Sequence, residues 1–151
     1  MNKSGKVISW LLVITWMAII FYLSHQPATE SSELSGGITE VIIRIAETIT
    51  SPFEVNIEVL NHIVRKGAHF FAYFILGLLV MNKLRWYKIH GYQRIVLSFI
   101  ITVLYAISDE VHQLFIPGRS GEAIDVLIDG AGASVGIMLY WIFCLYINRG
   151  K

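Results

Sequence analysis

Residues 7–23 read VISWLLVITWMAIIFYL, seventeen consecutive residues without a charged side chain. That length is about the minimum for an α-helix that crosses the hydrocarbon core of a bilayer. A secretory signal peptide is the alternative, because a basic start also precedes this run. The run is long for such a signal, and the SHQPATE that follows at 24–30 has no A-x-A cleavage site. We therefore predict a retained first membrane span.

Three further apolar stretches follow along the chain, and they predict spans over about residues 62–82, 92–110 and 123–147. A buried helix of a water-soluble protein is the alternative for any one of them. Four such helices in 151 residues, however, leave too little polar sequence to coat a core. The predicted fold class is all-α, an integral membrane bundle of four transmembrane helices forming a single domain over 1–151. Within the fourth span, Gly132-x-x-x-Gly136 predicts a close helix contact inside the monomer.

Composition excludes several classes of protein. With 55% apolar and 15% charged residues, the chain is neither disordered nor collagen-like, and the single Cys144 cannot build a disulfide framework. A nucleic-acid binder needs a basic face to neutralise phosphates, whereas the formal net charge here is only +1. We therefore predict no nucleic-acid partner.

The basic residues are concentrated in segments that an even number of spans places on one side of the membrane. These residues are Lys3, Lys6, Lys83, Arg85, Lys88, Arg94, Arg149 and Lys151. They make up eight of the twelve Lys and Arg residues, and the same segments contain none of the eleven Asp and Glu residues. The positive-inside rule then predicts cytoplasmic termini, with residues 24–66 and 109–122 on the extracytoplasmic side.

The long outer segment contains the pattern of an amphipathic helix bounded by Gly36–Gly37 and Ser51–Pro52. Its apolar stripe consists of Ile38, Val41, Ile42, Ile45 and Ile49. We predict an extracytoplasmic amphipathic segment over 36–61, followed by a short helical stretch, Ile57–Val64, that leads into the second span. Its polar face is slightly acidic, which disfavours attraction to anionic lipids. The stripe either packs on the outer ends of the spans or inserts among acyl chains.

Polar side chains inside or beside the spans carry the functional signal, because ionisable groups are costly in a bilayer and usually face a cavity, partner or pathway. They form four clusters, which are Ser24 and Gln26; Lys66, His69 and Tyr73; Asp109, Glu110 and Gln113 with Arg119 beyond them; and Asp125 and Asp129. The first and third spans run outward and the second and fourth inward. All four clusters therefore fall at the outer end of the bundle and predict one extracytoplasmic site.

The same clusters resemble the motifs of the VanZ-like family in order and spacing. The matching stretches are Ser24-x-Gln26-Pro27, Lys66-x-x-His69-Phe70-x-x-Tyr73, Asp109-Glu110-x-x-Gln113-x-x-x-Pro117-x-Arg119 and Asp125-x-x-x-Asp129-x-x-Gly132. The resemblance covers nearly the whole chain and implies a small integral protein of the bacterial cell membrane. It also implies a link with glycopeptide resistance, since the founding member is associated with resistance to teicoplanin. The family pattern has Asn or Asp at the position of Asp129.

The residue types indicate chemistry on an anion. Lys66 and Arg119 are donors suited to phosphate or carboxylate oxygens, while crowded carboxylates and an imidazole can serve as general acid or base. The catalytic candidates are Lys66, His69, Asp109, Glu110, Arg119 and Asp125. The ligand-binding candidates are Ser24, Gln26, Tyr73, Gln113 and Asp129.

Several functions fit this set of residues. It fits an enzyme that modifies a lipid or cell-wall precursor, although no G-x-S-x-G motif is present. It also fits a protein that only binds such a molecule, or a structural network of ion pairs that fixes helix register. We predict recognition, and in a stronger form modification, of an anionic membrane lipid or lipid-linked envelope component; the structural network is the alternative.

A metal site is a further reading of the histidines and carboxylates. No H-x-x-x-H or H-E-x-x-H spacing occurs, and Lys66 and Arg119 in the same cleft would oppose a divalent cation. We therefore predict neither a metal ion nor a cofactor.

Overall fold

The computed structural model describes residues 3–49, 56–87, 89 and 91–149. Within them the chain forms five α-helices and no strand. They are α1 (Lys3–Ser24), α2 (Ala28–Ile49), α3 (Ile57–Arg85), α4 (Gly91–Gln113) and α5 (Ala123–Arg149). All except α2 are long and apolar enough to cross a membrane. The predicted all-α fold with four spans is confirmed.

The spans extend slightly beyond their apolar cores, because α-helices continue into the polar residues that flank a bilayer. The stretch Ile57–Val64 is continuous with the second span, as predicted, and makes α3 a helix of 29 residues. Its start is capped by Asn56, whose side-chain oxygen accepts hydrogen bonds from the backbone N–H groups of Glu58 and Val59 at 3.0 and 3.2 Å. The predicted helix end at Ser51–Pro52, and Lys88 and Lys151 of the basic segments, lie outside the described residues.

The start of α2 differs from the prediction. Gly36–Gly37 does not begin this helix; α2 starts at Ala28, directly after Pro27, and passes through both glycines. Proline suits the first turn of a helix, and the Ala28 N–H donates to the backbone oxygen of Pro117 at 3.3 Å. This early start places the first two turns of α2 beside the polar end of the bundle.

Most of the apolar stripe of α2 is exposed, and only its first residue, Ile38, also lines a cavity beside α1 and α3 among the described residues. Ile38, Val41 and Ile45 are each more than half exposed, whereas Thr39 on the opposite face is only 1% exposed. A small polar face thus packs toward α3, where Asn61 Nδ2 lies 3.3 Å from the Ser32 hydroxyl. The prediction that the stripe packs on the outer ends of the spans is therefore wrong for its exposed side chains. Insertion among acyl chains stays a prediction.

The core lies around α3, which contacts each of the other four helices. Its buried side chains include Tyr73, Leu76 and Val80, which form one cluster with residues of α1, α4 and α5. Some polar groups of the spans are paired inside this core. Trp16 Nε1, in the middle of the first span, donates to the backbone oxygen of Ala72 at 2.8 Å.

Close packing of α5 on α3 depends on glycine. A Cβ added at Gly132 would lie 2.2 Å from the backbone oxygen of Phe70, and one at Gly136 would lie 2.2 Å from that of Phe74. Neither distance is physically possible without a shift of one helix. The close contact predicted for Gly132-x-x-x-Gly136 is therefore confirmed, and it lies within the chain.

Two neighbouring glycines of α5 offer a matched test of this contact. We expect Gly132→Ala to destabilise the bundle by about 1–3 kcal/mol, because the methyl group must push α3 away. Gly130→Ala should be neutral or slightly stabilising, since its Cβ would meet only Val103 Cγ2 at an ordinary 3.8 Å and alanine favours helix. Unfolding in detergent followed by circular dichroism measures both. Equal stability of the two variants would contradict the role given to Gly132.

Candidate functional site

Polar side chains from four helices meet at one end of the bundle, where α1 and α4 end and α3 and α5 begin. We call this the polar end. Ser24 Oγ of α1 donates to Asp109 Oδ2 of α4 at 2.7 Å, and Lys66 of α3 forms an ion pair with Asp125 of α5. The four sequence clusters therefore belong to one site.

The basic segments meet at the opposite end. Lys83 Nζ donates to the backbone oxygen of Lys6 at 3.0 Å and lies 4.5 Å from the ring centroid of Trp10. This contact joins the start of α1 to the end of α3. The basic segments and the polar site therefore lie at opposite ends of the bundle.

Gln113 connects the two acidic residues at the end of α4. Its Nε2 group lies 3.0 Å from Glu110 Oε1 and 3.4 Å from Asp109 Oδ2, because residues three and four positions apart share a helix face. All three side chains are buried. Gln113 and Ser24 together satisfy Asp109 Oδ2, whereas Asp109 Oδ1 has no hydrogen-bond partner among the described residues.

The loop between α4 and α5 folds back over this group. Gly118 adopts a left-handed backbone with φ of 74°, which suits glycine. Arg119 Nη1 then donates to Gln113 Oε1 at 2.9 Å, and the backbone N–H of Glu122 donates to Glu110 Oε2 at 2.9 Å. Burial, and next the nearby positive charge of Arg65, lower the pKa of the Arg119 guanidinium. The loop therefore places a partly desolvated cation at the mouth of the site.

Lys66 is held by two carboxylates. It pairs with Asp125, with both side chains at most 15% exposed, and its Nζ lies 3.1 Å from Oε2 of the more exposed Glu122. The hydrogen bond from Lys66 lowers the pKa of Glu122. Glu122 is a site residue that sequence reasoning missed. Its position just before the first turn of α5, three residues ahead of Asp125, is the signal that could have found it.

The deepest part of the site contains His69, Tyr73 and Asp129. His69 Nδ1 lies 3.6 Å from Asp129 Oδ1, which is longer than a hydrogen bond. Asp129 and Tyr73 are both 0% exposed. In the described part of the chain, neither the two carboxylate oxygens of Asp129 nor the Tyr73 hydroxyl has a hydrogen-bond partner.

Two cavities open from this site. The larger, of about 360 Å³, lies between α1, α2 and α3 and is lined mainly by apolar side chains, with Ser24, Gln26 and Tyr73 among its polar ones. The smaller, of about 70 Å³, is polar and is lined by Lys66, Gln113 and Asp125, among others.

Three residues, Arg65, His69 and Arg119, line both cavities. Arg65 was not predicted from the sequence, although it lies one helical turn before His69 on the same face of α3. That spacing of four residues is the signal that could have identified it.

A pair of histidines flanks the polar end. His25 Nδ1 lies 3.1 Å from His112 Nε2, and the two rings stack with centroids 5.3 Å apart. Neither belongs to the predicted site set. Their contact joins the ends of α1 and α4 beside the Ser24–Asp109 hydrogen bond.

The fold and the site together define a small helical membrane protein that gathers a buried polar site at one end of a four-span bundle. Comparison with protein families identifies it further. The VanZ/LLP1 family model matches residues 9–144, and the chain belongs to this family, as its motifs indicated. No curated protein and no solved structure matches the chain.

The Lys66 ion pair should stabilise the fold. We expect Lys66→Met to lower the free energy of unfolding by about 3 kcal/mol, because it leaves Asp125 buried and unpaired. The double variant Lys66→Met/Asp125→Leu should recover much of that loss, since an apolar pair replaces the ion pair. Denaturant unfolding in detergent measures the coupling.

Glu122→Gln is the control for this pair, because Glu122 is the more exposed partner of Lys66. Glu122→Gln should lower the free energy of unfolding much less than Lys66→Met does. If the loss of unfolding free energy in the double variant equalled the sum of the losses in Lys66→Met and Asp125→Leu, the two side chains would not stabilise each other.

Proposed function

We propose that this protein binds an anionic amphiphile, a membrane lipid or lipid-linked envelope component, at the polar end of the bundle. One observation carries the proposal. An apolar cavity of about 360 Å³ and a polar cavity of about 70 Å³ share Arg65, His69 and Arg119. A molecule with a hydrocarbon chain and an anionic head group matches this arrangement.

The larger cavity suits the hydrocarbon part. Its volume falls within the range of about 300–1,000 Å³ that is typical of ligand pockets. Its apolar lining consists of Ile20, Leu23, Leu34, Ile38, Val64, Ala68 and Ala72. Because α2 forms one wall and exposes its isoleucine stripe, the chain-binding region would border the acyl chains of the bilayer.

The two arginines suit the head group. Arg65 and Arg119 lie close enough for the charge of Arg65 to lower the pKa of Arg119, so an anion between them would relieve their repulsion. In the described residues, no carboxylate forms an ion pair with either guanidinium. Arginine binds phosphate and carboxylate oxygens in a bidentate manner. Lys66, by contrast, is already neutralised by two carboxylates.

If the protein also modifies the bound molecule, His69 is the residue that would transfer the proton. It lines both cavities, so it would touch both the head group and the start of the chain. An imidazole in that position can accept or donate a proton at physiological pH. Turnover of the bound molecule, lost in His69→Gln while binding persists, would distinguish a transferase or hydrolase from a binding protein.

A structural network is the second candidate, and it applies to a different part of the cluster. Lys66 with Asp125 and Glu122, and Glu110 with the backbone of Glu122, tie α3, α4 and the loop before α5 together. These contacts fix helix register without needing a ligand. We assign them the supporting role, assign recognition to Arg65 and Arg119, and keep proton transfer for His69.

The proposed setting is a bacterial cell membrane, with the polar end on its extracytoplasmic side. A protein that holds a lipid-linked envelope component there would change how much of it is free to meet a glycopeptide of the teicoplanin type. This is the route by which we connect the site with glycopeptide resistance.

Lipid binding tests the head-group half of the proposal. Native mass spectrometry of the purified protein should show preference for dioleoyl phosphatidic acid over dioleoyl phosphatidylcholine, which shares its acyl chains. Arg65→Ala/Arg119→Ala should weaken binding of the anionic lipid about tenfold or more, because two charge-assisted contacts are lost. Arg44→Ala removes one positive charge from the exposed surface of α2 and should leave binding unchanged.

Filling the larger cavity tests the chain-binding half. Ala68→Phe adds a ring to the cavity lining and should exclude both lipids. Ile63→Phe adds a ring at a position of the same helix that is 58% exposed, and it should bind as wild type does. Unchanged binding by both Ala68→Phe and the double arginine variant would overturn the proposal.

Orientation has its own test, by thiol labelling of intact cells after Cys144→Ala removes the native cysteine. Glu30→Cys at the start of α2 should react with a membrane-impermeant maleimide. His90→Cys, which precedes Gly91 in the sequence, should react only after permeabilisation, because the proposed orientation places the basic segments in the cytoplasm. If only position 90 were labelled in intact cells, the proposed orientation would be wrong and the polar end would face the cytoplasm.

A further inference from the structure

Three helices contribute one potential metal ligand each to the deepest part of the site. His69 comes from α3, Glu110 from α4 and Asp129 from α5. One ligand atom of each lies within 4.8 Å of the others, a separation that a single ion can bridge. Such a group is common without a metal, so a second observation must indicate a ligand.

That observation is the environment of Asp129. Its side chain is fully buried, and both of its carboxylate oxygens lack a hydrogen-bond partner among the described residues. Buried polar atoms are normally paired, and an ionised carboxylate without a partner costs several kcal/mol in a protein interior. The buried Asp109 Oδ1 and the Tyr73 hydroxyl share this property in the same region. A buried carboxylate with two unpaired oxygens, beside ligand atoms of His69 and Glu110, is a suitable partner for a cation.

We propose that His69, Glu110 and Asp129 bind a divalent transition-metal ion. One imidazole nitrogen with two carboxylate oxygens suits ions such as Zn²⁺ or Mn²⁺, and three protein ligands leave coordination positions for water or another molecule. The site is not isolated from solvent, because His69 also lines both cavities.

The surroundings support ligation by Glu110. Gln113 Nε2 and the backbone N–H of Glu122 donate to its two oxygens at 3.0 and 2.9 Å, which fixes the orientation of the carboxylate. Outer hydrogen bonds of this kind commonly position metal ligands. Each oxygen keeps a second lone pair for a metal.

The sequence predicted no metal ion, and the positions of the ligands explain why a site was not recognised there. The ligands lie on three different helices, so no local spacing motif links them. The two cations that were expected to oppose a metal are engaged elsewhere. Lys66 pairs with Asp125 and Glu122, while Arg119 donates to Gln113 and to the backbone oxygen of Leu23.

Metal binding is tested on the full chain in neutral detergent, after treatment with a chelator and its removal. Titration with Co²⁺ alone should produce visible absorption typical of nitrogen and oxygen ligands, saturating at one ion per chain, and Zn²⁺ should displace it. His69→Gln should weaken Co²⁺ binding by about 100-fold or more, because a ligand is lost. The matched control His62→Gln, on the exposed surface of the same helix, should bind as wild type does.

Asp129→Leu separates ligation from a purely structural role. It should abolish Co²⁺ binding and yet raise the thermal stability of the metal-free protein, because a buried unpaired charge is replaced by an apolar group. In wild type, added Zn²⁺ should raise Tm with concentration, and in Asp129→Leu it should not. Absence of stoichiometric binding in folded wild type, or equal binding by His69→Gln and His62→Gln, would overturn the proposal. Because no lipid is involved, this result is independent of the lipid-binding experiment.

Discussion

The parallel contact between α3 and α5 is the constraint on which the site depends. Gly132 and Gly136 bring the backbone of α5 against that of α3, which fixes the register of the two helices. With that register set, Lys66 meets Asp125 and, one turn further on, His69 faces Asp129. Small residues are what permit such close approach where apolar burial gives no net attraction between helices in lipid. The close packing of α5 on α3 thus also determines which charged side chains meet.

The polar cluster is divided between satisfied and unsatisfied groups. Ser24, Gln113 and the backbone of Glu122 satisfy oxygens of the two acids at the end of α4. By contrast, both oxygens of Asp129 lack a hydrogen-bond partner in the described chain, and Arg65 forms no ion pair there. Each buried unpaired group costs free energy in a medium of low dielectric, and fixing helix register does not require it. The unsatisfied groups are therefore where ligands are to be sought.

The spans and the end at which the site forms could be predicted from the sequence, since both depend on the order of apolar and charged residues along the chain. The start of α2 could not. Glycine disfavours helix by about 1 kcal/mol relative to alanine, and contacts of α2 with α3 and with the loop at Pro117 outweigh that local preference.

The two cavities were also beyond prediction, because they depend on how the helices and the loop before α5 pack against one another. Arg65 was overlooked for a related reason. The face of α3 was judged from Lys66, His69 and Tyr73, and only the tertiary structure shows that Arg65 also lines both cavities. The three metal ligands lie on separate helices, and only the tertiary structure brings such residues together.

Electrostatics links the two proposed ligands. Five carboxylates, those of Asp109, Glu110, Glu122, Asp125 and Asp129, surround the three cationic side chains Arg65, Lys66 and Arg119. If all five were ionised, the site would repel an anionic head group despite its arginines. A divalent cation at His69, Glu110 and Asp129 would remove that excess of negative charge beside the arginines. Protonation of the buried carboxylates would have the same effect without a metal. Either form of neutralisation would favour binding of an anion at this end of the bundle.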